Sequence, residues 1–390
     1  MKIVSDINNH VLGIDASNIR SGGGLTHLKE LLSHADPNKY GFSKVIVWSC
    51  RRTLEQLPDV EWLDKKYVAL LDGKLIFRII WQRFILPTIA NRNCDLLFVP
   101  GGNFHGSKVP FVAMSQNLLP FDDVERKRFR FTWTGVRLFL LKHGQLVCFQ
   151  KASGVIFLTE FARKLVESKI SSINGLISIV PHGVSDSFRF PPKFQKNADE
   201  YNFKSPFRFV YVSIIDFYKH QWNVIEAIGL LRSKGLPIAI DFIGPSHQRA
   251  MVKFKASIKK WDSRSEWVNY HGSCSHQDMP HFYRQADGVI FASSCENLPI
   301  ILLEGMSSGL PVACSDRGPM PEVLKDGGVY FDPENVQSIS RAISDLFLDV
   351  EKRRLCSESS FLSSKNFTWS LCASKTFSFF KGLLDNFYKI

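Results

Sequence analysis

Short runs of β-branched and aromatic residues alternate with longer amphipathic stretches from one end of the chain to the other, and this alternation constrains the fold most. A strand followed by a helix-length segment and another apolar strand returns the chain in the same direction. The pattern therefore predicts parallel sheets joined by crossover helices. Strands are predicted over 11–14, 44–48, 96–99, 111–114, 154–158 and 178–180, then over 207–212, 238–243, 268–270, 288–291 and 311–314. Two doubly wound sheets fit this pattern, and 390 residues suffice for two or three domains. Between the sheets, Pro191, Pro192 and Pro206 flank a polar tract with no apolar period, which marks a joint and the natural place for a cleft. The expected domains are 1–190 and 191–370. A closing helix over 371–390 is expected to pack back on the first domain, and Phe377, Phe380, Leu383, Leu384 and Phe387 recur there at helical spacing.

Composition removes several classes. Apolar residues make up 45% and charged residues 22%, which excludes a disordered chain. Basic residues outnumber acidic ones by 49 to 37, with more of the excess in the first half, so an anionic partner is favoured without being chosen. The eight cysteines form no C-x-x-C pair, and no His grouping has metal-ligand spacing. They read as reduced thiols in a reducing compartment. No apolar run is long enough to span a bilayer and the first residues lack a secretory signal pattern, so a cytoplasmic protein is expected.

The segment from Ser293 to Glu322, SSCENLPIILLEGMSSGLPVACSDRGPMPE, carries the sharpest chemical signal. Pro299 suits the first helical position because its missing N–H would have been unpaired there. A helix starting at this point aims free amides and a positive dipole end at an anion. Glu296 stands at the mouth and Glu304 further in. Carboxylates so placed repel a bare phosphate unless neutral hydroxyls occupy them, and a nucleotide sugar supplies both hydroxyls and diphosphate.

With its Glu-x7-Glu frame, the Gly309-Leu310-Pro311-Val312 turn and Gly318 through Glu322, this segment resembles the donor-binding segment of the retaining glycosyltransferases of family 4. That resemblance implies the GT-B fold, an α/β architecture of two doubly wound parallel-sheet domains facing across a cleft. It also implies that Glu304 holds the ribose hydroxyls and Glu296 faces the donor sugar. Asn297 and Leu298, just before Pro299, then offer amides to sugar and phosphate. Gly22, Gly23 and Gly24 follow a predicted strand, where glycines let the backbone approach a diphosphate; the family carries a similar turn facing the donor. Lys219 matches the family's diphosphate-binding Lys, whereas the Arg expected five residues earlier is Ile214. Gln116 and Asn117 occupy a turn where many members have a His; amides do not titrate, so their expected task is hydrogen bonding to sugar or acceptor hydroxyls. His182 lies in a turn like the family's turn near the cleft, and Gly272 follows a strand where the nucleobase would sit. Members generally need no bound metal, so no metal or other cofactor is expected. Transfer in this class runs front-side, with the leaving phosphate taking the acceptor proton.

Residues 126–142, RKRFRFTWTGVRLFLLK, hold six basic residues and no acidic one, with aromatics interleaved. On a helix this composition suits an anionic membrane surface, and lipid-linked acceptors are frequent in the family. The resulting expectation is a hexosyltransferase that moves a sugar from a nucleoside-diphosphate donor to a glycan acceptor, lipid-linked, in bacterial surface polysaccharide or lipopolysaccharide assembly. It would sit at the inner face of the membrane. The alternatives are a nucleotide-sugar epimerase of the same fold, a non-catalytic partner subunit and a basic nucleic-acid-binding protein. The last leaves the 293–322 segment unexplained, so no nucleic-acid partner is expected.

Overall fold

The computed structural model describes residues 9–388 and divides into two compact units. One runs up to His182 and takes up the chain again from Trp369; the other is Gly183–Thr368.

The first unit holds a seven-stranded sheet of β1 (His10–Asp15), β2 (Phe42–Ser49), β3 (Leu63–Tyr67), β4 (Leu96–Val99), β5 (Phe111–Met114), β6 (Gly154–Phe157) and β7 (Leu176–Ile179), in the order β3-β2-β1-β4-β5-β6-β7. The second holds a six-stranded sheet of β8 (Phe207–Val212), β9 (Ile238–Ile243), β10 (Val268–Tyr270), β11 (Gly288–Phe291), β12 (Val312–Ser315) and β13 (Gly328–Phe331), ordered β10-β9-β8-β11-β12-β13. Every pairing is parallel. Strands covered on both faces need apolar side chains on both, so β4, β5 and β9 are continuous apolar or near-apolar runs, buried throughout. The two strands that the sequence pattern misses are both sheet edges. β3 reads LDKKY, with half its surroundings wet; Lys44 and Lys66 pair with its Asp64 at 2.7 and 3.0 Å. β13 begins at a glycine and is only partly buried.

Helices around the candidate site and its surroundings include α1 (Gly22–Ser33), α2 (Trp133–Lys151), α3 (Gln221–Ser233), α4 (Ile300–Ser307) and α5 (Trp369–Phe387). α1 buries Leu25, Leu28, Leu31 and Leu32 at helical spacing. α5 packs on the first unit's sheet: Phe380 lies 5.1 Å from Phe98, and a Cβ on Gly154 would fall 2.7 Å from Leu383.

Candidate functional site

In an open parallel sheet, ligands bind beyond the carboxyl ends of the strands where the winding reverses. That point lies between β8 and β11 in the second unit. The loops leaving these two strands carry Lys219 and the segment Ser293–Pro299.

The two loops are tied together. Ser294 N donates to Tyr218 O at 2.8 Å, and His220 Nε2 lies 2.9 Å from Ser294 Oγ. His220 adopts φ +50°, a left-handed backbone that turns the chain abruptly into α3. Tyr211 Oη donates to Lys219 O at 2.7 Å, and Gln221 Nε2 donates to Ser213 Oγ and Ile214 O at 2.8 Å each. Lys219 is thereby pinned from its backbone. Its buried ammonium donates to Glu296 Oε1 and also faces the rings of Tyr218 and Phe291 at 5.1 and 5.2 Å. A buried cation without a counter-charge is costly, and Glu296 supplies one. The Arg position of the family motif, Ile214, is half-buried and apolar, so Lys219 is the cation of this loop.

Asn297, Leu298 and Pro299 are all buried. α4 starts at Ile300, one residue later than the sequence predicts: Pro299 caps it, and its carbonyl accepts from Leu302 N and Leu303 N at 3.0 and 3.2 Å. Glu304, on α4, is 4% exposed. Burial pushes its carboxyl above the ordinary range, opposed by His276 and Tyr283. His276 Nε2 lies 3.2 Å from its Oε1, and Tyr283 Oη donates to Oε2 at 3.4 Å. Gly272 has φ +67° and its carbonyl accepts from Gly244 N at 2.7 Å; a Cβ on Gly244 would strike Ser213 O at 2.2 Å. His271 turns back onto Asp241, 3.0 Å away.

The first unit reverses its winding between β1 and β4. Gly22, Gly23 and Gly24 form the first turn of α1 rather than a loop before it, with Gly22 at φ +66°. A Cβ at Gly22 or Gly23 would meet nothing within 4 Å, but one at Gly24 would lie 3.0 Å from Gln116 Oε1. The structure thus brings Gly24 and Gln116 together. Gln116 Nε2 is 3.1 Å from His27 Nδ1. Asn117 is exposed, and its Oδ1 accepts from Leu119 N at 3.1 Å in its own turn. His182 is enclosed, its ring 4.5 Å from that of His27 and 5.7 Å from that of Trp369.

Sequence reasoning missed His276 and Tyr283, which no motif marks, and Asp15 at the end of β1. Burial raises the Asp15 carboxyl, which accepts from Gln82 Nε2 at 2.7 Å, Trp81 Nε1 at 3.1 Å and Ser17 Oγ at 3.1 Å. These bonds fix the loop that leads to the glycines.

Within 126–142, Phe131 is 95% and Trp133 82% exposed, and Phe139 and Leu140 are also exposed. The positive field is weaker than the sequence implies. Arg126 pairs with Asp123 at 3.0 Å, Arg128 with Glu125 at 2.7 Å and Lys142 with Asp123 at 3.5 Å, acidic residues lying just before the basic run. Among the described residues, no helix is long and apolar enough to cross a membrane.

Residues 193–361 match the family model described as Glycosyl transferases group 1. The O-antigen chain mannosyltransferase B of Escherichia coli is 32% identical over 119 residues, 30% of this chain and 31% of that protein. The D-inositol 3-phosphate glycosyltransferase of Paenarthrobacter aurescens is 22% identical over 205 residues, 51% of this chain and 50% of its own. The chain thus spans about a third to a half of these relatives. Among solved structures, the sucrose-phosphate synthase of Thermosynechococcus elongatus superposes with a TM-score of 0.74 at 14% identity, over 97% of this chain and 100% of its own. Anabaena HepE in complex with UDP-glucose gives 0.65 at 15%, over 98% and 100%. Such identities speak to fold alone. Two all-parallel sheets of this order, matched by glycosyltransferase structures over nearly the whole chain, define the GT-B fold. The match to the group 1 model falls within the second unit.

Proposed function

We propose that the protein is a retaining glycosyltransferase of family 4 that moves a hexose from a nucleoside-diphosphate carrier to a glycan acceptor. The observation that carries this reading is the ion pair of buried Lys219 with half-buried Glu296 at the β8/β11 reversal, beside the start of α4, with Glu304 enclosed further along that helix. In this reading Lys219 and the main-chain amides around Asn297 and Leu298 stabilise the departing diphosphate, where a fixed positive field lowers the barrier most. Glu296 orients Lys219 and accepts from a sugar hydroxyl, and Glu304 accepts from the ribose hydroxyls. The bond from sugar C1 to the phosphate oxygen breaks, and the acceptor oxygen bonds C1 on the same face. The acceptor proton passes to the departing phosphate. Lys219 and the amides provide the positive charge, so the reading calls for no metal at the diphosphate.

Taken by itself, the first unit offers neutral groups, with Gln116 beside the Gly22–Gly24 turn suited to sugar or acceptor hydroxyls. The name of the E. coli relative, O-antigen chain mannosyltransferase B, makes mannose the first sugar to test and supports a role in surface polysaccharide assembly, for which a lipid-linked acceptor is the one to try first. The exposed Phe131, Trp133, Phe139 and Leu140 support attachment to an anionic membrane face.

The test is incubation of the purified protein with a panel of nucleotide sugars and a lipid-linked glycan acceptor, reading nucleoside-diphosphate release and the anomeric configuration of the product. Release of diphosphate with retained configuration is expected. An inverted product removes the retaining mechanism, and interconverted donor sugars without transfer would identify an epimerase.

A further inference from the structure

Three side chains far apart in sequence meet inside the first unit: His27 on α1, His182 where the chain leaves that unit, and Cys372 on α5, which brings it back. All three are buried, and one ligating atom of each lies within 4.8 Å of the others. His27 Nε2 and His182 Nδ1 are both enclosed without a hydrogen-bond partner. Leaving such a buried polar atom unpaired is costly, so core packing alone gives no reason to keep two side by side. Trp369 walls the cluster, its ring 6.2 Å from His27 and 5.7 Å from His182.

We propose that His27, His182 and Cys372 bind a borderline-soft divalent cation, Zn2+ being the best match. Two imidazole nitrogens and a thiolate form the mixed N/S donor set that Zn2+ favours, whereas Mg2+ and Ca2+ take oxygen. Zinc bonds of about 2.0–2.3 Å put tetrahedral donors roughly 3.3–3.7 Å apart. Closing the cluster around an ion thus takes about an ångström of side-chain movement.

The protonation states fit. Burial lowers His27 to about 4 and holds His182 well below the ordinary imidazole range, so both rings are neutral and no proton need leave a nitrogen. Burial pushes the Cys372 thiol up to about 12. On metal binding its S–H bond breaks, a sulfur–zinc bond forms, and one proton goes to solvent. Gln116 completes the second layer of contacts. Gln116 Nε2 lies 3.1 Å from His27 Nδ1, and exchanging the amide nitrogen and oxygen by a flip lets Gln116 accept from Nδ1–H and leaves Nε2 to the metal. A bound ion would join the helix that carries Gly24 to both points where the chain crosses between units.

The test uses the full-length, metal-stripped protein titrated with Zn2+ and with Co2+. One ion per chain, retained through gel filtration, is expected, together with a thiolate-to-cobalt charge-transfer band for Co2+. Cys372→Ser should abolish that band, and Cys372→Ser and His182→Gln should each weaken Zn2+ binding at least tenfold. Should either variant fail to fold, X-ray absorption at the zinc edge of the loaded wild type decides, with two nitrogens and one sulfur expected in the first shell. The proposal is overturned by no stoichiometric uptake, by unchanged affinity in both variants, or by a sulfur-free shell.

Discussion

The two units arrange the same kind of strand-end loops but fill them with opposite chemistry. In the second, the groups at the reversal are charged and matched inside the site: Lys219 with Glu296, and Glu304 with His276 and Tyr283. In the first, the one carboxyl at the reversal, Asp15, is closed off by Trp81, Gln82 and Ser17, and beside it stand glycines, Gln116 and two uncharged imidazoles. The difference reflects the groups each region can recognise. A diphosphate calls for a fixed positive field, which must be held in place by counter-charges while buried. Hydroxyl groups call only for neutral donors and acceptors.

The largest effect that would break this contrast is at Lys219. Lys219→Ala is expected to lower kcat by about 10²–10³, the usual cost of removing one transition-state-stabilising donor, and to destabilise the fold because half-buried Glu296 loses its partner. Lys219→Arg should restore stability but not full activity, since the planar guanidinium is not interchangeable with a point charge. Steady-state kinetics and urea unfolding check both. Next is Glu304. Replacing it with Gln should weaken nucleotide binding by about 10–100-fold, as hydrogen bonds to a charged acceptor are lost. Because the folded state raises this carboxyl's pKa, its ionisation opposes folding at neutral pH. Glu304→Gln should therefore melt at a temperature equal to or above that of wild type without ligand. A large fall in melting temperature would contradict the electrostatics assigned to the site.

The first unit sharpens the contrast through pH. The folded-state pKa of His27 lies below that of the unfolded chain, so the folded state binds fewer protons between about 6.5 and 4. Stability conferred by the neutral ring is present above 6.5 and lost as pH falls toward 4. At about 1.4 kcal/mol per unit this comes to about 2–3 kcal/mol between pH 7 and 4.5. Urea unfolding in the presence of a chelator should show that loss in wild type and a smaller one in His27→Gln. A smaller effect is expected at the membrane face. Phe131→Ser with Trp133→Ser should weaken binding to anionic vesicles several-fold while leaving transfer to a soluble acceptor unchanged. The smallest is Gly24→Ala, whose new methyl would press on Gln116 at 3.0 Å, giving a two- to threefold rise in KM.

These regions were unequally legible in the sequence. The charged site was readable because Glu296, Pro299 and Glu304 sit in one short frame whose spacing sets their places on a helix. Interior strands such as β4 and β5 were readable because two buried faces require continuous apolar runs. Edge strands β3 and β13 were not, since one wet side removes that requirement. His276 and Tyr283 reach Glu304 from a loop and a short helix that no spacing links to it. The ion pairs that temper the basic run depend on Asp123 and Glu125, just outside the window in which charge was counted. The meeting of His27, His182 and Cys372 is set by how α1 and α5 pack, which residue spacing does not encode.

The most direct measurement of the central claim is calorimetric titration of nucleoside diphosphates into wild type, Glu304→Ala and Lys219→Ala. The account predicts that one diphosphate binds wild type at a single site, that Glu304→Ala loses affinity for the diphosphate and the free nucleoside alike, and that Lys219→Ala loses it for the diphosphate only. Equal affinity for the diphosphate in all three proteins would contradict it.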